Sequence, residues 1–287
     1  MKFERTLMIR GAQTARALPA IATLLVVAIV VAACSKKKAE TDASTESAAP
    51  VEPSAPAVVI RMIDAHGGMA TWRSAPTVSF ETEYSAPGGP STVTRVVVEQ
   101  KRRRAYIDFP DSNMSLAWDG KRAWSMNWKE PYPPRFLALL DYYFLCLPWL
   151  TLDPGVRLSA PEKGTLWDDP TEYSVVKMSF APGTGDTPND TYRLYIDPAT
   201  ARLKACAYTA TYRAMLPDSV DAMPEHVVAF EEHMGVGGLT VPTRFAIYRT
   251  DHTPVATCVI RDWSFERPFD ESRMSMPEGA VVDESTP

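Results

Sequence analysis

The sequence predicts a mainly β, α+β fold, in which one antiparallel sheet of about eleven strands curls around an N-terminal helix and a central apolar helix. Short runs that alternate apolar and polar residues recur at hairpin spacing through most of the chain, which is typical of half-buried strands. No regular alternation of strands and helices accompanies them, which argues against a Rossmann or TIM-barrel architecture. A sheet of this many strands must curl or close.

Composition and charge are those of a globular protein that does not bind nucleic acid. The chain of 287 residues is 45% hydrophobic and 23% charged, so neither extensive disorder nor a polytopic membrane protein is expected. The net charge of −5 provides no basic field for nucleic acid. Four cysteines are too few for a disulfide-stapled scaffold. Cys146, Cys206 and Cys258 are expected to be buried thiols, with at most one disulfide pair among them.

Residues 1–33 are interpreted as a lipoprotein signal peptide. Four basic residues precede an almost purely apolar run at 17–33, which is the layout of a secretion signal. The run ends in Val31-Ala32-Ala33-Cys34, which resembles the lipobox of bacterial lipoproteins. That resemblance implies cleavage before Cys34 and acylation of its thiol, and the cleaved chain would carry a net charge of −8. An uncleaved N-terminal anchor with an incidental cysteine is the alternative.

The same resemblance implies where the protein resides. Acyl chains on Cys34 would hold it at the cell envelope, on the periplasmic face of a membrane. Ser35 follows the cysteine, and in enteric-type bacteria a residue other than Asp at this place directs sorting to the outer membrane. Residues 34–56 are rich in Ser, Thr, Ala, Pro and Glu and contain no aromatic residue, so we expect a disordered tether after the lipidated cysteine. Residues 57–287 are expected to form one domain.

This domain is expected to begin with a helix and to continue with strands. Apolar residues from Val58 to Ile63 recur at helical spacing, and Gly67-Gly68 ends the helix. Trp72 follows in a short turn as a large apolar residue. Asp119-Gly120 favours a tight hairpin turn. The predicted strands lie at 77–84, 92–100, 104–109, 113–118, 124–128, 173–180, 192–196, 203–212, 227–230, 241–248 and 255–263.

The segment 135–150 interrupts the strands and is apolar on nearly all sides. It is too short to span a bilayer, and Arg135, Asp141 and Pro148 also disfavour a membrane span. A helix without a polar face must be covered on several sides. The concavity of the curled sheet is a natural place for it.

The order of these features resembles the lipoprotein-localisation (Lol carrier and receptor) type of domain, and in particular an uncharacterised periplasmic lipoprotein family with that half-barrel. The resemblance rests on the helix end Ala65-His66-Gly67-Gly68, on YRLYIDPAT at 192–200 and on GLTVPTRF at 238–245. It covers about residues 57–275. It implies an open half-barrel around helices, with a hydrophobic cavity that receives acyl chains.

Aromatic residues of the central segment and of the strands are the candidate cavity lining. Aromatic side chains fill cores as readily as they line cavities, so both interpretations remain open. The candidate ligand-binding residues are Phe80, Trp118, Trp124, Trp128, Phe136, Leu140, Tyr143, Phe144 and Trp149.

A basic run follows the second predicted strand. Lys101, Arg102, Arg103 and Arg104 form the tip of a hairpin in an otherwise acidic domain, where they could contact lipid headgroups or an anionic partner. The alternative is a solvated hairpin end that keeps the sheet edge from pairing.

No motif of a metal site or of an active site is present. His226 and His233 lie seven residues apart on one predicted strand and would face opposite sides. Neither H-E-x-x-H, nor G-x-S-x-G, nor a glycine-rich phosphate loop occurs. We therefore expect no metal, no cofactor and no catalysis. His66 is expected to cap carbonyls at the end of the first helix, where a cation is favoured.

These observations predict a lipid-anchored, monomeric periplasmic protein that binds an apolar ligand in the concave face of a half-barrel. The ligand would be an acyl chain, a lipid or the lipid of a lipoprotein, and the role would be in envelope lipid or lipoprotein trafficking. One alternative is an envelope scaffold that interacts through its surface and has a filled core. A third hypothesis is a hydrolase whose site no motif reveals.

Overall fold

The computed structural model describes residues 55–287. The proposed signal peptide, Cys34 and the tether up to residue 54 lie outside these residues. The described part contains fourteen strands in one antiparallel sheet. The strands are β1 (Thr77–Ser85), β2 (Ser91–Glu99), β3 (Arg104–Phe109), β4 (Met114–Trp118), β5 (Ala123–Met126), β6 (Val156–Leu158), β7 (Glu162–Leu166), β8 (Asp169–Phe180), β9 (Thr191–Ile196), β10 (Leu203–Thr209), β11 (His226–Val236), β12 (Leu239–Arg249), β13 (Pro254–Ser264) and β14 (Val281–Val282).

Strands that follow one another in the chain are mostly neighbours in the sheet. The order is β14-β5-β4-β3-β2-β1-β13-β12-β11-β10-β9-β8-β6, and β7 also pairs with β8. The pairing of β1 with β13 joins the two meanders. The strands at the two ends, β14 and β6, do not pair with each other, so the sheet is open. The predicted class, an α+β half-barrel with an open, curled antiparallel sheet, is confirmed.

Three of the fourteen strands were not predicted from the sequence. β6 and β14 contain three and two residues, too few for a period to be recognised. β7 has the sequence EKGTL, in which Leu166 alone is a large apolar residue. These strands exist because β8 and β5 offer free edges for pairing.

Five short α-helices accompany the sheet in the described residues: α1 (Ala57–Ala65), α2 (Met69–Ser74), α3 (Pro134–Leu137), α4 (Leu140–Leu145) and α5 (Leu147–Leu150); short 3-10 helices lie at Arg213–Met215 and Glu271–Met274. The predicted central helix is therefore broken into three pieces. The breaks lie at Leu139, with φ −125°, and at Cys146, which precedes Pro148. The connection from β5 to β6 carries α3–α5 from one half of the sheet to the other. None of the helices within 55–287 has the length and apolar character needed to cross a bilayer.

The main hydrophobic core lies between the concave face of the sheet and the helices. It contains the buried faces of α1 and of α3–α5 and the inward side chains of the strands. Trp72 of α2 stacks on Trp149 of α5, with ring centroids 4.6 Å apart and planes 6° apart. Cys146, Cys206 and Cys258 are buried and free.

The convex face carries two smaller clusters. One lies on β8–β11 and contains Tyr173, Val175 and Tyr195. The other is formed by Val97, Tyr106, Ala117 and Trp124, and the chain from Phe269 to Ala280 packs over it. The C-terminal segment therefore covers part of the convex face and reaches β5 through β14.

The helix end at residues 65–68 packs on the turn between β11 and β12. Gly67 has φ +100°, and a Cβ atom there would lie 2.2 Å from the Gly238 carbonyl oxygen. His66 is buried; its Nδ1 donates to the Thr240 carbonyl at 2.8 Å, and its Nε2 accepts from the Leu203 amide at 3.2 Å. Burial lowers the pKa of His66 to about 4. The structure corrects the predicted capping role: His66 is neutral and joins two strands because both ring nitrogens have backbone partners in the sheet.

Candidate functional site

A cavity of about 450 Å³ lies between the central segment and the concave face of the sheet. Its wall on the sheet side comes from inward positions of β1 and β9–β12. These residues are Tyr84, Tyr192, Tyr208, Val228, Phe245 and Ile247. Ala210 and Met223 extend this wall beyond the end of β10. Each of these side chains is at most 9% exposed, so the inner part of the cavity is enclosed by apolar and aromatic groups.

The central segment presents one stripe of side chains to the cavity. Half-buried residues at helical spacing form it: Phe136, Leu139, Leu140 and Tyr143. The other faces of the same segment are fully buried in the main core, with Tyr142, Cys146 and Trp149. The segment is thus packed on several sides, as its apolar sequence predicted, while one side remains open to the cavity.

Five of the nine predicted cavity residues line the cavity. They are Trp118, Phe136, Leu140, Tyr143 and Phe144. Trp118 lies at the end of β4, where its ring contacts the guanidinium of Arg135 at 4.6 Å. Phe144 packs on Tyr208 with ring centroids 4.7 Å apart.

The other four predicted residues lie elsewhere, and the structure corrects their placement. Phe80 fills the core against Trp263, and Trp149 stacks on Trp72. Trp128 packs on Phe109. Trp124 lies on the convex face, since Ala123 before it belongs to the main core and side chains alternate along β5.

Residues of β9–β12 at the cavity were not predicted. Tyr192, Tyr208, Val228 and Phe245 belong to predicted strands, and period-2 alternation places each of them on the same face as its cross-strand neighbours. This alternation was the sequence signal that could have identified them. It does not by itself reveal which face of a strand points to the concave side of the sheet, because both faces of β10 and β11 are apolar.

A hydrogen-bonded pair, the buried Tyr84 and the half-buried Asp141, lies at the cavity wall. The Tyr84 hydroxyl donates to Asp141 Oδ1 at 2.6 Å. Burial raises the pKa of Asp141 to about 6, against the opposite effect of this hydrogen bond. Asp190 is also buried, and its oxygens accept from Thr187 and from both the amide and the hydroxyl of Thr211. Both carboxylates thus have donors within the protein.

The opening of the cavity is bordered by charged groups. Arg103 Nη2 donates to both oxygens of Asp153, at 3.1 and 2.9 Å. Arg135 donates to both oxygens of Asp186, at 2.7 and 2.6 Å. Arg102 is the most exposed of these residues, with 60% of its side chain accessible. These charged groups are partly exposed, whereas the apolar wall is buried. The cavity therefore has an apolar interior and a charged rim.

The predicted basic tip is divided between different environments. Lys101 is exposed, and Arg102 and Arg103 line the cavity. Arg104 is 8% exposed and forms hydrogen bonds with Glu99 and Glu271. The structure therefore corrects the prediction for Arg104: its guanidinium holds the C-terminal segment and does not face solvent.

Within residues 55–287, no group of three or more His, Cys, Asp or Glu side chains is arranged to hold a metal ion. His233 lies near His66, with ring centroids 5.7 Å apart. Burial lowers the pKa of His233 to about 4. His226 Nδ1 donates to the Pro224 carbonyl at 2.8 Å.

No family model matches the chain. No curated protein matches it either.

Among solved structures, the chain is similar to a LolA superfamily protein from Nitrosomonas europaea, with 11% identity, 72% of this chain and 96% of that chain covered, and a TM-score of 0.45. It is also similar to a DUF1329 family protein from Desulfovibrio piger, with 10% identity, coverage of 76% and 94%, and a TM-score of 0.47. A domain from Vibrio parahaemolyticus, described as an outer membrane lipoprotein-sorting protein, has 9% identity, coverage of 72% and 96%, and a TM-score of 0.41. With identities of 9 to 11%, the similarity concerns the fold alone.

Proposed function

We propose that this protein binds an apolar ligand and encloses an acyl chain in the cavity between α3–α5 and the concave face of the sheet. The observation that supports this proposal is a cavity of about 450 Å³ with aromatic and aliphatic walls and an opening at one side. Its volume lies within the range of about 300 to 1,000 Å³ that is typical of small-molecule sites. The filled-core scaffold would have no such space.

Apolar burial would drive binding. Burial of one methylene group contributes about 0.8 kcal/mol, so a 14-carbon chain offers roughly 10 kcal/mol before ordering costs are subtracted. An apolar cavity also holds water poorly. An acyl chain would therefore replace empty or weakly hydrated space without displacing hydrogen-bonded water.

The proposed setting is the bacterial cell envelope. Acylation of Cys34 would anchor the protein on the periplasmic face, in the outer membrane by the sorting rule for Ser35, and residues 35–56 would let the domain reach away from the bilayer. In that setting a monomeric, non-enzymatic carrier or receptor of lipid or lipoprotein fits the cavity. The alternative of a surface scaffold and that of a hydrolase have no specific structural feature in their favour.

A fluorescent fatty acid tests the proposal. Purified, delipidated protein is expected to bind the probe saturably, with a dissociation constant in the micromolar range. Val228→Phe should weaken binding by about tenfold or more, because Val228 lines the cavity from β11 and the added ring would occupy the space of the ligand.

Val259→Phe is the matched control. Val259 is a half-buried residue of β13 between the inward-facing Cys258 and Ile260, so its side chain points to the convex face. This variant should bind the probe like the wild type. Thermal unfolding of both variants checks that they are folded. Absence of saturation with folded wild-type protein would overturn the proposal.

A further inference from the structure

The volume of the cavity limits how many acyl chains it can accept. A methylene group occupies about the volume of a water molecule in the liquid, roughly 30 Å³. A cavity of about 450 Å³ therefore holds about 15 methylene groups. This capacity corresponds to one acyl chain of ordinary length inside the cavity, so the further chains of a phospholipid or of a lipoprotein would lie at its open rim.

The rim of the cavity supplies hydrogen-bond donors that the protein does not use. Arg103 uses Nη2 alone for Asp153, so its Nε and Nη1 have no protein acceptor among the described residues. Arg102 forms no hydrogen bond within residues 55–287; its nearest carboxylate oxygens, on Glu99 and Glu271, are 3.9 Å away. Both side chains come from the turn between β2 and β3 and line the opening.

The guanidinium groups of the rim differ in how firmly they are paired. Arg103 and Arg135 donate hydrogen bonds to Asp153 and Asp186, whereas Arg102 lies 3.9 Å from carboxylate oxygens of Glu99 and Glu271, which accept shorter hydrogen bonds from Arg104. The third carboxylate of the cavity, that of Asp190, lies in the buried part and is occupied by Thr187 and Thr211. Arg103 donates to Asp153 through Nη2 alone, so an incoming oxyanion can bind its Nε or Nη1 without breaking this ion pair.

We infer that the ligand is a single-chain amphiphile with an anionic oxygen headgroup, whose chain fills the cavity and whose headgroup binds Arg102 and Arg103. This inference rests on the proposed function and specifies its ligand class. A fatty acid carboxylate and the phosphate of a single-chain phosphate ester share the required chemistry, because both present oxygen acceptors to a guanidinium. The chain length is set by the cavity and the charge by its rim.

A set of ligands with the same chain and different headgroups tests this inference. Tetradecanoate, tetradecyl phosphate, tetradecanol and tetradecyltrimethylammonium are compared by displacement of the fluorescent probe at pH 8, below their aggregation concentrations. The anions are expected to bind at least about tenfold more tightly than the alcohol, and the cation most weakly. The better of the two anions distinguishes a carboxylate from a phosphate ligand. Native mass spectrometry should detect one ligand molecule per protein.

Arg102→Gln should reduce the preference for the anions over the alcohol by about three- to tenfold, because a charged headgroup loses more than a hydroxyl does when the guanidinium is removed. Arg261→Gln is the control, because Arg261 is an exposed arginine outside the cavity that pairs with Glu83. Equal binding of alcohol and anions would overturn the headgroup assignment and leave the proposed function intact. Two or more chains per protein would overturn the single-chain assignment. If no member of the series binds, the proposed function itself fails.

Discussion

At the scale of single residues, burial decides the protonation of an acid near the cavity and of two histidines near the end of α1. Loss of hydration at the half-buried Asp141 raises its pKa to about 6, although Tyr84 donates a hydrogen bond to it. His66 and His233 show the opposite direction, because burial disfavours the charged form of a base and lowers both pKa values to about 4.

These shifts predict opposite effects on stability. The folded state binds the Asp141 proton more tightly than the unfolded chain, so this contribution is present below pH 4 and is lost as the pH rises through about 6. The two histidines contribute stability above their unfolded pKa of about 6.5, and it is lost as the pH falls towards 4. A comparison with a variant is therefore needed to isolate Asp141.

Asp141→Asn keeps an acceptor for Tyr84 and removes the ionisation. We expect the variant to match the wild type near pH 4 and to be more stable by about 1–3 kcal/mol at pH 7.5, because the wild type then holds a poorly hydrated charge. Urea unfolding at several pH values between 4 and 7.5 measures this difference. A constant loss of stability at every pH would contradict the expectation and point to a lost contact instead.

At the scale of elements, the end of α1 is attached to the sheet by backbone groups. The Thr240 amide donates to the His66 carbonyl at 3.0 Å, and Gly67 lies directly against Gly238. Such a close approach leaves no room for a side chain. The glycine pair that ends the helix thus also sets the distance between α1 and the turn of β11 and β12.

Gly67→Ala is expected to lower the free energy of unfolding by about 2–4 kcal/mol, because the new Cβ would collide with backbone atoms and the residue has positive φ. Gly68→Ala is the matched control. It also has positive φ, +83°, but a Cβ there meets nothing closer than Asp64 Oδ1 at 4.0 Å, so we expect a loss of about 1 kcal/mol. Denaturant titration compares the two variants. Equal losses of stability would show that backbone strain alone, and not the contact with Gly238, explains the effect of Gly67→Ala.

At the scale of the whole molecule, the curled sheet requires cover on both faces. The helices cover the concave face, apart from the cavity. On the convex face, the C-terminal segment is held by Arg104 with Glu271 and by Arg273 with Asp108. Phe269 packs on Tyr106 beneath these ion pairs, with ring centroids 5.4 Å apart.

Phe269→Ala should lower the stability by about 2–3 kcal/mol, because it removes the apolar contact that attaches the C-terminal segment to β3. It should also speed cleavage of that segment by a protease. Met276→Ala, in the same segment, should change the stability by less than about 0.5 kcal/mol, because Met276 is 47% exposed. Unfolding in urea and limited proteolysis provide the two measurements. A segment that stays equally resistant in Phe269→Ala would show that the ion pairs suffice to hold it.

Much of the fold followed from local patterns. The alternation of apolar and polar residues predicted the meander, and β3 occupies the predicted range 104–109. The helix at the start of the domain and the hairpin at Asp119-Gly120 also agree with prediction. The break at Leu139 was not predicted, because it depends on how the segment 135–150 packs across the sheet. The break at Cys146 had a local signal in Pro148, which cannot continue a helix, and the prediction of one helix overlooked it.

The candidate site was predicted less completely than the fold. Phe136, Leu140 and Tyr143 were found because they belong to an apolar segment that needs cover. Trp124 was assigned to the cavity and lies on the other face, since both faces of its strand bury apolar residues. Where both faces of a sheet are covered, hydrophobicity no longer indicates which side is concave.

The sequence by itself determined the order and type of the main elements, because period and turn chemistry act between residues that are near in the chain. The tertiary structure alone decided which side chains border the cavity, that Arg102 and Arg103 reach its rim while Arg104 holds the C-terminal segment, and that His66 joins two strands. These facts depend on the direction of curl and on contacts between residues far apart in the chain. No local pattern encodes them, because they arise only when the two meanders meet at β1 and β13.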